Sequence, residues 1–185
     1  MSAETLIIAC LVIPLVGSGL ILLTGASPNL RETMTLSTAG LLFLCVASIV
    51  PTVAAGGRPT LTLVEMLPGL TISFTIEPLG MVFACIASFL WIVTTIYAIG
   101  YMRGHHETNQ TRFYFYFAIA IASAIGVAFA GNMMTLFIFY EVLTLSTFPL
   151  VTHHGTEETK KAGRVYLGIL IGTSIGFQLF AIVWT

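Results

Sequence analysis

Apolar residues run along this chain in blocks long enough to cross a bilayer, and polar or Gly/Pro-containing gaps divide them into about six segments. The segments read as Thr5–Thr24, Thr33–Ala55, Pro78–Met102, Phe113–Gly131, Met133–Thr152 and Ala162–Trp184. Each is near the roughly 20 residues a helix needs to cross hydrocarbon. Between the second and third, Thr60 to Glu77 alternates apolar and polar residues around Leu67, Pro68 and Gly69, which predicts two short strands joined by a turn. The fourth and fifth segments meet at the short stretch Ala130, Gly131 and Asn132, so these must form a tight antiparallel pair. The pattern predicts an all-α integral membrane protein of about six transmembrane helices. A short extracytoplasmic β-hairpin lies between helices 2 and 3, and a single transmembrane domain covers residues 1–185.

Composition agrees: 57% of the residues are hydrophobic and 8% charged, against about 25% charged in soluble domains. Almost nothing is left for a soluble catalytic module, and no feature suggests nucleic-acid binding. The first apolar run has no basic stretch before it and no clear cleavage site, so it is expected to be a retained span. Charge sets the orientation. Arg31, Arg103, Arg112, Lys160, Lys161 and Arg164 all fall on one side of the six-span pattern, and Arg58 alone falls on the other. The positive-inside rule assigns the basic side to the cytoplasm, which puts both termini and the hairpin outside.

One residue breaks the apolar pattern where breaking it is costly. Glu141 lies inside the otherwise uncharged run from Met133 through Thr152. A charge at mid-span costs ~2.5–3.5 kcal/mol on insertion scales, and such residues mark proton and ion paths. On a helix, Tyr140, Glu141, Thr144 and Thr147 share an arc of roughly 120°, a polar stripe that could hold water. Burial favours the neutral form of a carboxylate and a nearby cation or donor favours the charged form, so a balance of the two allows a proton to be gained and lost. The competing expectation is a structural glutamate locked in an ion pair or hydrogen bond with a neighbouring helix or subunit. Pro149, which removes the amide that would bond to the Leu145 carbonyl, predicts a local kink near the cytoplasmic end.

Other candidates are weaker. His105, His106, His153 and His154 form two adjacent pairs in loops without a nearby Asp or Cys, which reads as solvated loop histidines rather than a metal site. Cys10, Cys45 and Cys85 sit in different spans without motif spacing and read as small apolar groups. Glu77 before Pro78 suits a helix start. Lys160, Lys161 and Arg164 set topology and meet anionic lipid. Two small-residue stripes, Gly168/Gly172/Gly176 and Ala118/Ala122/Gly126/Ala130, predict faces that pack against protein.

The stretch from Thr71 through His154, followed by AGRVYLGILIGTS, resembles the antiporter-like family, which includes the large membrane subunits of respiratory complex I and related hydrogenases and of Mrp-type sodium/proton antiporters. GYMRGHHETNQTRF and FYEVLTLSTFPLV are most similar to the Mrp-type D subunit, in its N-terminal portion. The resemblance implies that Glu141 takes part in proton translocation, with Tyr140, Thr144 and Thr147 as a supporting polar stripe and with neither a metal nor a cofactor. It implies a plasma or inner membrane location. It also implies partners: other subunits of a Mrp-type or complex I-like assembly, protons and Na⁺. In that family the glutamate works with a lysine on the seventh helix. This chain has no intramembrane lysine, so the resemblance further implies a second chain or segment supplying the remaining helices, or else a subunit that packs without pumping. The expected activity is ion movement rather than enzymatic bond chemistry.

Overall fold

The computed structural model describes residues 2–67, 70–153 and 155–184. Among them, six helical segments are long and apolar enough to cross a membrane. They are α1 (Ala3–Leu23), α2 (Pro28–Ala54), α3 (Pro78–Gly104), α4 (Gln110–Ala128), α5 (Met133–Val151) and a sixth composite segment. The composite runs from α6 (Glu157–Thr173) through a π-helical turn (Ser174–Leu179) into the short α7 (Phe180–Trp184). This is a multi-pass membrane fold. Strands β1 (Thr60–Leu67) and β2 (Leu70–Thr75) pair antiparallel between α2 and α3, as the alternation predicts. Pro68 and Gly69 of the expected turn, and His154 of the second histidine pair, lie outside the described residues.

Local chemistry sets the helix starts. The Ser2 hydroxyl accepts the Thr5 amide at 3.2 Å and caps α1. Helices α2 and α3 both open on proline, whose fixed φ and missing N–H suit a first turn. The second span therefore begins five residues earlier than Thr33, and Arg31 and Glu32 are helical and buried rather than in a loop.

The core lies among α1, α2, α3 and α4, with Ile7, Leu42, Val46, Trp91, Ala118 and Ile125 almost fully buried. Small residues allow close approach. A Cβ at Gly17 would strike the Thr38 side chain, and one at Gly80 would strike the Ala128 carbonyl. The stripe on α4 packs as expected, with Ala118 and Ala122 buried and Gly126 against the Phe139 ring of α5. The stripe on the sixth segment does not: Gly168, Gly172 and Gly176 are exposed with nothing within 4 Å of a Cβ, and among the described residues the helix packed most against α6 is α5.

The hairpin is fastened to the turn between α4 and α5. The Phe129 carbonyl accepts the Thr75 amide at 2.8 Å, and the Ser73 carbonyl accepts the Gly131 amide at 2.9 Å. The Asn132 Nδ2 donates to the Thr71 carbonyl at 2.7 Å and to the Ser73 hydroxyl at 2.9 Å, while its Oδ1 caps α5 by accepting the Thr135 amide at 2.8 Å. One side chain thus fixes both the hairpin and the start of α5, which sets the depth of every residue along that helix.

Candidate functional site

Glu141 lies eight residues beyond Met133 and ten before Val151, so at 1.5 Å per residue it sits ~12 Å from one end of α5 and ~15 Å from the other. It is half-buried, and the packing of Phe139 between Gly126 and Phe74 positions the turn of α5 that carries it. Among the described residues no Lys or Arg lies within ion-pair distance of Glu141. Its partner is instead a hydroxyl on the sixth segment: Ser174 Oγ donates to Glu141 Oε1.

Ser174 is buried and is the first residue of the π turn. An i→i+5 turn inserts an extra residue and shifts the phase of the helix beyond it, a distortion often found at functional sites. The same Oγ lies 3.2 Å from the Ile171 carbonyl. A serine has one O–H and two acceptor lone pairs, so this placement serves either state of the carboxyl group. Facing a carboxylate, the hydroxyl donates to it. Facing a protonated Glu141, it accepts the carboxylic proton and turns its own hydrogen to Ile171, so neither state strands a buried polar group.

The expected stripe divides. Thr144 is buried, and Thr147 Oγ1 donates to the Thr144 carbonyl at 2.9 Å rather than reaching the carboxylate. Tyr140 is half-buried beside it along the helix. Among the described residues none of the three side chains hydrogen-bonds to Glu141. The helix runs through Pro149 to Val151. The histidines hold no metal-like grouping among the described residues: His105 stacks on Tyr101 and the His153 ring packs edge-on to Phe113. Cys10 and Cys45, far apart in sequence, meet at 3.4 Å between sulfurs as free thiols.

A second charged cluster, absent from the expectations above, lies at the basic end of the bundle. Arg103 Nε donates to Glu32 Oε1 at 3.0 Å, and its Nη2 pairs with Oε2 of the same carboxylate. Arg31 Nη2 donates to Gln110 Oε1 at 2.7 Å and lies 3.4 Å from Glu32, with its guanidinium over the Tyr114 ring. The cluster ties α2, α3 and α4 together. Its one signal in sequence is the adjacent Arg31-Glu32 pair, which looks like loop charge until α2 is extended back to Pro28.

The model of the complex I family described as "NADH-Ubiquinone oxidoreductase (complex I), chain 5 N-terminus", a proton-antiporter domain, matches residues 68–114, which include β2, α3 and the start of α4. That segment, about a quarter of the chain, is similar to the proton-antiporter family. A likeness of fold extends well beyond it. A chain from the structure of the membrane-bound sulfane sulfur reductase, an archaeal respiratory membrane complex, superposes with a TM-score of 0.75 at 17% identity. The match covers 91% of this chain and 36% of the other, so this chain spans about a third of the length of that relative. No curated protein matches it.

Proposed function

We propose that this antiporter-like chain is a subunit of a multisubunit Na⁺/H⁺ antiporter of the cell membrane, and that Glu141 takes up and releases the translocated proton. The supporting observation is the pairing of a mid-span carboxyl group, without a counter-ion among the described residues, with a hydroxyl able to satisfy both of its protonation states. Proton entry drives cation export, no bond chemistry or cofactor is involved, and helices beyond this chain complete the path. The similarity of GYMRGHHETNQTRF and FYEVLTLSTFPLV to the Mrp-type D subunit favours sodium as the coupled cation.

A second reading is a proton-conducting or structural subunit of a redox-driven complex. It is favoured by what the two matches are, one to a complex I family and one to a respiratory reductase complex. The two readings separate in inverted vesicles from cells carrying the whole assembly. An antiporter collapses an imposed pH gradient when Na⁺ is added without any electron donor, whereas a redox-driven pump acidifies the lumen only when its electron donor is supplied.

A further inference from the structure

At the basic end, a cleft of about 460 Å³ opens between the start of α4, the end of α5 and the first turns of α6. Its lining includes the basic Arg112, Lys160 and Arg164 together with Tyr116, Phe148 and Pro149. Among the described residues no carboxylate lines it. Lys160 Nζ is already held by Glu157 Oε1 at 2.8 Å, whereas among the described residues neither Arg112 nor Arg164 has a carboxylate within ion-pair distance. Arg112 is also held in place: its Nη2 donates to the His153 carbonyl at 2.9 Å, yet its Nε is shielded from solvent and has no acceptor. A fixed guanidinium with an unmet, desolvated N–H is costly by itself and suited to an anionic oxygen.

We propose that this cleft seats the phosphodiester headgroup of an anionic phospholipid, with Arg112 and Arg164 contacting the phosphate oxygens. Two features select a lipid over a soluble anion. The cleft is at the end of the spanning segments, where headgroups lie, and Tyr116, Phe148 and Pro149 give it apolar wall for the lipid's non-polar part. Basic pockets between transmembrane helices bind anionic headgroups through this combination. The proposal is independent of the role given to Glu141.

The full chain is reconstituted in phosphatidylcholine nanodiscs doped with phosphatidylglycerol, and lipid retained after detergent extraction is counted by native mass spectrometry. Wild type should retain phosphatidylglycerol in preference to phosphatidylcholine. Arg112→Gln with Arg164→Gln should reduce that preference by roughly thirtyfold. Lys161→Gln, which removes a basic charge outside the cleft, should reduce it by much less than either single arginine substitution. Arg112→Lys with Arg164→Lys should recover part of it, which shows that the double glutamine variant failed through charge and not through folding. Equal retention by wild type and the double glutamine variant would overturn the proposal. So would displacement of the lipid by inorganic phosphate at matched concentration, which would make this a soluble-anion site.

Discussion

Arg103 grips the carboxylate of Glu32 through two of its N–H groups, joining α3 to α2 across 71 residues of sequence. The two ends of the pair are unequal. The Glu32 side chain is 6% exposed and that of Arg103 47%. Solvent screens what Arg103 contributes, whereas removing Glu32 also deprives the buried Arg31 of the nearest negative charge. Glu32→Gln should therefore lower the thermal midpoint of the detergent-purified chain more than Arg103→Gln, with the first costing on the order of 3 kcal/mol and the second about 1 kcal/mol or less. Equal shifts would show that the cluster acts as a screened surface pair.

Ser174→Ala removes the hydroxyl that faces Glu141 while leaving the carboxyl group in place. A hydrogen bond to a charged group is worth ~1.5–3 kcal/mol, so exchange through Glu141 should fall by about tenfold or more. Ser174→Thr keeps the hydroxyl and should restore most of the activity. Measured in vesicles at matched protein levels, an alanine variant as active as wild type would mean that the hydroxyl serves packing alone.

The two small-residue stripes should respond in opposite ways. Gly126 sits against the Phe139 ring, so Gly126→Leu forces α4 and α5 apart and should destabilise the isolated chain by about 2 kcal/mol or more. Gly172 has nothing within 4 Å. Gly172→Leu should leave the thermal midpoint of the isolated chain unchanged but reduce its recovery in a co-purified assembly, if a partner helix covers that face. Thermal unfolding and size-exclusion of the co-expressed subunits read the two effects separately.

Much of this architecture could be read from the sequence because the bilayer imposes it. Every backbone group within hydrocarbon must be bonded within a helix, so hydropathy alone located the six spans, and the alternation from Thr60 marked the hairpin. Glu141 stood out because a lone carboxylate among apolar residues is costly. Its partner did not. Ser174 follows a glycine-rich run and reads as one more small packing residue, and nothing local announces the π turn that begins there. The Glu32 cluster was obscured for a different reason: the first turn of α2 is polar, so hydropathy started the span too late, and Arg103 lies far away in sequence. The contact between Cys10 and Cys45 likewise depends on how α1 and α2 cross, which spacing cannot show.

The most direct test is proton-coupled Na⁺ exchange by inverted vesicles carrying the complete assembly, comparing wild type with Glu141→Gln at equal expression. Glutamine keeps the size and hydrogen-bonding reach of the side chain but cannot bind and release the proton. The account predicts that dissipation of the pH gradient by added Na⁺ is abolished or falls at least a hundredfold, a barrier increase of about 2.7 kcal/mol or more, while the subunit still assembles. Undiminished exchange by the glutamine variant would contradict it.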